Sequence, residues 1–413
     1  MLLITHIKTL VGTHPSETNV LRGQSMADLP TLDDAWLLIE QDLIKDFGKM
    51  SELNKAEVTN NITEINAKGC FVLPSWCDSH THLVFAASRE EEFVFKIQGK
   101  SYEEIANAGG GILNSARKVQ GHTEDDLYNL TQQRLAEVIR MGTGAIEIKS
   151  GYGLTIESEL KMLRVIRRLK ESSPIPIKAT FLGAHAYPEQ YKNNHQAYLD
   201  LLIRQLLPQI TDEGLADYID AFCERGFFSV DETSRLLDAG AKYGLKPKIH
   251  ANQLSASGAV EIGVKHHGLS VDHLEMLDHH AVNALMSGST IATLLPSCSL
   301  FLGIPFADAR RLMQANIPVA LASDFNPGSS PSGNMNLVVS LACIKQKMLP
   351  QEAINAATIN GAAAIELSHQ YGSISRGKKA NFFITKPIPS LAYLPYSFGS
   401  NHVQTIILNG KVY

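Results

Sequence analysis

FVLPSWCDSHTHLVFAASR, residues 71–89, is an apolar run that ends in two histidines one residue apart, with an arginine seven residues after the second. Read as a strand, it sets His80 and His82 on one face, because strand side chains alternate with a period of two. Two imidazoles on one face look like half of a metal site. A His-x-His pair is also ordinary polar sequence at a strand end, so the rest of a ligand set has to come from elsewhere in the chain.

The chain downstream repeats the pattern of a short apolar run ending in polar residues. GTGAIEIKSGYG, KATFLGAHAYP, DYIDAFCERG, KPKIHANQ, LSVDHLE, TIATLLPSC and PVALASDFNPG follow in order, which with FVLPSWCDSHTH makes eight strands. Segments of helical period lie between them, and Ser101–Glu104 and Ser229–Glu232 carry helix-start capping boxes. Residues 123–140 place Leu127, Leu130, Leu135, Val138 and Ile139 at roughly helical spacing. Eight strands with intervening helices predict an α/β fold, a (β/α)8 TIM-type barrel, over residues 69–371. Gly109–Gly111 has no strand before it and no Lys-Ser/Thr after it, so it is not a phosphate loop. Residues 1–68 and 372–413 hold short β-like runs (AWLLIEQDLI, NFFIT, VQTIILNGKVY) with an Asn409-Gly410 turn. Neither end can bury a core alone, so the two are expected to share one small β-sandwich domain.

Composition narrows the function. With 44% hydrophobic and 19% charged residues and a net charge of −5, the chain lacks the basic stripe of a nucleic-acid or anionic-membrane binder. Cys70, Cys77, Cys223, Cys298 and Cys343 are odd in number, scattered and free of C-x-x-C spacing, which predicts reduced thiols in a cytoplasmic protein. No apolar segment is long enough to span a membrane, and the opening MLLITHIKTLVGTH does not read as a secretory signal.

Barrels of this kind carry their active sites at the C-terminal ends of the strands. There the sequence offers His80 and His82 on the first strand, His185 on the third, His250 on the fifth, His273 on the sixth and Asp324 on the eighth. As a set at one rim, these residues point to a functional site rather than to scattered polar residues. His266 and His267, before Gly268, fit a helix C-terminus, and His279 and His280 are expected to face solvent. His6, His14, His122, His195, His369 and His402 carry no strand-end context.

HTH on strand one, HANQ on strand five, VDH on strand six and SDFNPGSS on strand eight resemble the amidohydrolase superfamily of metal-dependent hydrolases. HTHLVFAASREEEF, QGKSYEEIANAGGGI, EIKSGYGL and LGAHAYP together are similar to one branch of it, the enzymes that open the imidazolone ring in histidine degradation. The similarity runs from about residue 70 to 385 in one register, and GSISRGKKANFFI resembles the strand that returns to the small domain across the superfamily.

The resemblance implies a metal held by His80, His82, His250 and Asp324, three imidazoles and a carboxylate suited to Zn²⁺ or to Fe²⁺/Fe³⁺. Binuclear relatives add a carboxylated lysine at the end of strand four. This chain has Cys223-Glu224-Arg225 there and its lysine, Lys149, on strand two, so one metal ion is expected. The implied reaction is hydrolysis of the cyclic amide of 4-imidazolone-5-propionate to N-formimino-L-glutamate by a metal-activated water. His273 is expected to move protons and Arg89 to grip the propionate. Tyr102, Tyr152 and His185 are expected to line the pocket, and Asn326, Gly328 and Ser329 to contact substrate or product. Some relatives, and the ring deaminases, carry glutamate where this chain has Gln253. Glutamine cannot titrate, so Gln253 is expected to hydrogen-bond the ring in the catalytic site, which weighs against the alternative of a heterocycle deaminase. A non-catalytic scaffold is the other alternative, and the presence of all four ligand types argues against it. A homodimer is the expected assembly.

Overall fold

The computed structural model describes residues 1–54, 62–100, 104 and 110–413. Tyr102 and the Ser101–Tyr102–Glu103 part of the first capping box lie outside the described residues, as does Gly109. Near the N-terminus, strands β1 (Leu2–Val11), β2 (Thr31–Glu40), β3 (Leu43–Lys49), β4 (Thr63–Asn66) and β5 (Phe71–Pro74) belong to one sheet. The barrel strands are β6 (Trp76–Asp78), β7 (Thr143–Lys149), β8 (Ile177–Ala184), β9 (Tyr218–Cys223), β10 (Lys246–Ala251), β11 (Ser270–His273), β12 (Ile291–Leu294) and β13 (Val319–Leu321). The chain ends in β14 (Phe382–Thr385), β15 (Val403–Leu408) and β16 (Lys411–Val412), which rejoin the first sheet.

All eight expected barrel strands form, in sequence order and parallel, with helices such as Glu124–Arg140, Ile156–Ser172 and Val230–Ala241 in the crossovers. The Ser229–Glu232 capping box is made: the Ser229 hydroxyl accepts from Glu232 N–H, and the Glu232 carboxylate accepts from Ser229 N–H. Strand alternation sorts the side chains. Ile146, Ile148, Ile219, Ala221, Ile249 and Val271 join the main hydrophobic core beneath the helices. Their neighbours Glu147, Lys149, Asp220, Lys248 and Asp272 pair with one another, fully buried, inside the barrel. Apolar contact between the strands and the outer helices therefore holds the barrel, at about 25 cal/mol per Å² of apolar surface buried, while its interior is charged.

The run FVLPSWCD is shared between two sheets. β5 pairs with β1 and β14 in the small sheet, and after Ser75 the chain enters the barrel at β6. The end strands, expected as a small sandwich, are bonded edge to edge into one mixed sheet in which β14 sits between β5 and β15. Ile4, Ile7 and Leu10 of β1, Leu37 of β2, Ile44 of β3, Phe382 of β14 and Ile407 of β15 share its buried cluster. β15 and β16 turn through Asn409 and Gly410, at φ 49° and 74°, the left-handed pair that a tight hairpin requires.

Closure of the barrel depends on residues past the ends of its first and last strands. Thr81 bridges Phe325 in parallel register. His82 N–H donates to Phe325 O at 2.9 Å, and Asp324 N–H donates to His80 O at 3.0 Å. Just below, the Asp78 carboxylate accepts the Ser323 N–H at 3.0 Å and its hydroxyl at 2.5 Å.

Asn360 ties the N-terminal segment to the last barrel strand. Its Oδ1 accepts from Leu21 N–H, and its Nδ2 donates to Leu21 O and Val319 O, each at 2.8 Å. Replacing Asn360 by Ala leaves three buried backbone groups without these partners. At roughly 1–3 kcal/mol per orphaned group, reduced by local relaxation, Asn360→Ala should lower the unfolding free energy by about 2 to 4 kcal/mol in denaturant titration. Activity per folded molecule should be unchanged, since Asn360 bonds the N-terminal segment and the start of β13 and does not line the cleft.

Candidate metal centre and substrate cleft

Extended backbone beyond β6 carries His80 and His82 to the barrel mouth, β10 carries His250, and Asp324 follows β13. The four side chains converge. Asp324 Oδ1 lies 3.4 Å from both His80 Nε2 and His82 Nε2, and His250 Nε2 lies 3.3 Å from His82 Nε2. All are at least 97% buried, and His80 Nε2 has no hydrogen-bond partner. Buried polar atoms are ordinarily paired. Ligand atoms of His80, His82 and Asp324 lie within 4.8 Å of one another, as do those of His80, His250 and His273, and these overlapping sets of imidazole nitrogens and a carboxylate oxygen, with an orphaned nitrogen among them, have donors and spacing that fit a divalent metal.

The electrostatics fit as well. Burial lowers His82 and, more strongly, His250 from the usual imidazole range, favouring the neutral form that ligates. His80 goes the other way. Burial and the Lys149 charge lower it, but the hydrogen bond to Asp272 and the nearby Asp324 carboxylate outweigh them and raise it to about 9; a cation bound at Nε2 would take that proton's place. Four residues of this rim stand in the left-handed region without being glycine: Asn252 (φ 53°), His273 (89°), Leu274 (68°) and Asp324 (54°). Such backbone costs of order 1–3 kcal/mol at a residue and concentrates at functional sites.

A cleft of about 320 Å³, the size of a small-molecule site, is lined by three of the four, His82, His250 and Asp324. On one wall His185 stacks on His82 with ring centroids 5.2 Å apart, and Tyr152 packs against both rings. His185 Nδ1 lies 3.1 Å from Gly151 O. A carbonyl only accepts, so Nδ1 carries the proton and Nε2 is left as an acceptor. Burial, then the His82 charge, lowers His185 to about 3, which keeps it neutral. Burial pushes the Tyr152 phenol up, so its hydroxyl keeps its proton.

Two cations, Arg89 and Lys96, also line the cleft. Arg89 Nη2 pairs with Glu92 at 2.5 Å, and Glu92 is held in turn by the Gly111 N–H at 3.0 Å. Arg89 Nε is buried without a partner, a donor still free. The guanidinium lies against the backbone at Gly328, where a Cβ would fall 2.3 Å from Nη1. Lys96 is held below its ordinary range by partial burial and by the Arg89 charge.

Asn326, Gly328 and Ser329 line the cleft, but much of their polarity is spent within the loop. Asn326 Nδ2 donates to Asp324 O and Ser329 Oγ, and its Oδ1 accepts from Gly328 N–H and Ser329 N–H. Asn326 therefore shapes the loop, and Ser329 Oγ stands 3.3 Å from Asp324 Oδ2. His273 lies beside His250, with its Nδ1 3.5 Å from Glu275. Gln253 Nε2 donates to the Cys298 thiol at 3.4 Å, and burial pushes that thiol up so that it stays neutral.

Several participants carry no signal in the sequence reading: Glu92, Lys96, Glu275 and Cys298 at the cleft, and Asp220 and Asp272 behind the imidazoles. Asp272 could have been noticed as the residue before His273 in a strand that alternates inward. Glu224 does not face the centre; it accepts from Leu254 N–H and Ser255 N–H in the loop after Gln253. His266 and His267 end the helix Ala259–Lys265, and His279 and His280 are exposed, both as expected.

Comparison with known proteins agrees with this geometry. The chain matches the amidohydrolase family over residues 71–413. It is 56% identical over 413 residues to an imidazolonepropionase of Christiangramia forsetii, covering 100% of this chain and 99% of the relative. It is 40% identical to that of Geobacillus kaustophilus, covering 100% and 97%. Among solved structures, the guanine deaminase of E. coli superposes with a TM-score of 0.75 at 13% identity, covering 100% of this chain and 98% of that one. The atrazine chlorohydrolase TrzN of Arthrobacter aurescens TC1, complexed with zinc, gives 0.71 at 14%, covering 100% and 95%. These two share the fold, whereas the family match and the full-length identities carry descent: the chain belongs to the amidohydrolase family, among its imidazolonepropionases.

Proposed function

We propose that the chain hydrolyses the cyclic amide of 4-imidazolone-5-propionate to N-formimino-L-glutamate. The observation that carries the reading is that a cluster of metal-ligand side chains and a guanidinium whose Nε is unpartnered line one small cleft. A ring amide at one end and a carboxylate at the other match those two features. The full-length relatives named imidazolonepropionase support the same substrate.

His80, His82, His250 and Asp324 would hold a divalent ion, zinc or iron, which when bound would supply a Lewis acid able to activate water near neutral pH. The protein does the rest. Arg89 takes the propionate through its planar fork, and Lys96 adds a second positive charge in the cleft. Tyr152 offers a hydroxyl donor and His185 an Nε2 acceptor to the ring, so the ring's own donor and acceptor both find partners. Gln253, tethered to Cys298, cannot exchange a proton and orients the ring. His273, with Glu275 beside its Nδ1, is left to take the proton from the attacking water and return it to the departing ring nitrogen. As water adds to the carbonyl carbon, the C–N bond breaks and the new carboxylate forms. The unpaired, buried or half-buried cysteines fit a cytoplasmic setting.

The direct test is loss of the imidazolone ultraviolet band on mixing with metal-loaded protein. Hydrolysis with N-formimino-L-glutamate as product supports the reading, and a stable band with stoichiometric metal contradicts it. His273→Ala should reduce kcat by about 10² to 10⁴ with metal content unchanged, the range of general acid–base groups. Arg89→Lys keeps the charge and loses the fork, which should raise KM by the equivalent of about 1 to 3 kcal/mol. Gly328→Ala should act the same way, because its Cβ displaces Arg89; an unchanged KM in both would remove Arg89 from carboxylate recognition.

A further inference from the structure

Two of the three imidazoles at the centre, His80 and His250, are each backed by a carboxylate. His80 Nδ1 lies 2.6 Å from Asp272 Oδ2. His250 Nδ1 lies 3.0 Å from Asp220 Oδ2, an ion-pair contact off the line of a hydrogen bond, while Asp220 Oδ1 accepts the His250 N–H at 3.1 Å. Those carboxylates come from different strands, and one ammonium stands between them. Lys149 Nζ lies 2.9 Å from Asp220 Oδ2, 3.8 Å from Asp272 Oδ2 and 2.8 Å from Glu147 Oε1. Lys149, Glu147, Asp220 and Asp272 have no exposed surface.

A lysine in so dry a place is costly unless several anions surround it, and nothing in barrel packing requires one. Apolar side chains fill this volume in most barrels. Lys248 is the natural comparison. It is equally buried, but it donates to Ser270 Oγ and Ala364 O and approaches Asp272 alone of the two carboxylates, at 3.8 Å. Among the described residues, Lys149 is the cation that contacts the carboxylates behind two different imidazoles.

We propose that Lys149 is a positioning residue of the metal centre. Its ammonium fixes Asp220 and Asp272 relative to each other, and through them it sets the direction in which His80 Nε2 and His250 Nε2 point. Partners on the far nitrogen of a ligating histidine orient the ring, and their loss weakens metal binding. A single residue acting on both rings couples two ligands from strands on different sides of the barrel. This rests on the metal-centre reading above and deepens it.

The test measures zinc affinity of the metal-free protein by competition with a chromogenic chelator, alongside its thermal midpoint. Lys149→Met removes the ammonium but strands three carboxylates. The double variant Lys149→Met/Glu147→Gln removes the ammonium together with its dedicated anion and leaves the net charge of the cluster unchanged. The expected result is that the double variant keeps the parent's metal-free midpoint within a few degrees and binds zinc about 10- to 100-fold more weakly. Zinc affinity within threefold of the parent in the folded double variant overturns the proposal. Loss of the metal-free midpoint together with parental zinc affinity in the fraction that folds also overturns it, because the lysine is then structural. His250→Ala is the separate check on the centre itself: undiminished zinc binding there sinks the ligand assignment, whichever way Lys149 behaves.

Discussion

The barrel closes through the same residues that form the candidate centre. Asp324 N–H donates to His80 O, His82 N–H donates to Phe325 O, and Thr81 bridges Phe325. The sheet's first and last strands are short, three residues each, so this seam carries much of the pairing between them. Ligand geometry and barrel closure are therefore one constraint. Moving Asp324 relative to His80 by one residue would turn both side chains to the opposite face, because strand side chains alternate. The left-handed backbone at Asp324 is tolerated because the seam on one side and the Asn326 loop on the other fix it.

Beneath the seam the barrel interior is polar, and that arrangement trades stability for function. Buried ion pairs seldom add net stability against a well-packed apolar core. Here Glu147, Lys149, Asp220, Lys248 and Asp272 fill space that aliphatic side chains could occupy, and the apolar contacts outside the strands carry the fold instead. The interior carboxylates instead give the His80 and His250 imidazoles a fixed partner. The substrate wall follows the same logic: Glu92 holds one arm of Arg89 while a second donor is left free.

Much of this was legible in the sequence, for definite reasons. The strands could be read because each is a short apolar run with a polar end, and the rim set His80, His82, His185, His250, His273 and Asp324 because strand ends meet at one rim; the division of that set into ligands and pocket residues came from the family resemblance. The split of FVLPSWCD was not legible, since an unbroken apolar run gives no sign that the chain changes sheets at Ser75. Nor was the edge-to-edge pairing of the end strands, because pairing partners hundreds of residues apart leave no local trace. AIEIK, residues 145–149, reads on its own as a strand with one charged, solvent-facing side; only closure of the barrel reveals that Glu147 and Lys149 are sealed inside. Glu275, Cys298 and Lys96 reach the cleft from loops and helices whose placement depends on the whole barrel. Asn326 could be found by its neighbours, but its inward commitment to the loop could not.

The central claim is that one metal ion is held across the barrel seam by ligands from both sides of it. Amide hydrogen exchange of the metal-free protein, with and without one equivalent of zinc, tests this directly. The account predicts that zinc slows exchange most at the His82 and Asp324 amides, which bridge the seam, and far less at amides pairing β8 with β9, such as Tyr218 opposite Thr180. Equal protection at both places, or none at the seam, would contradict it.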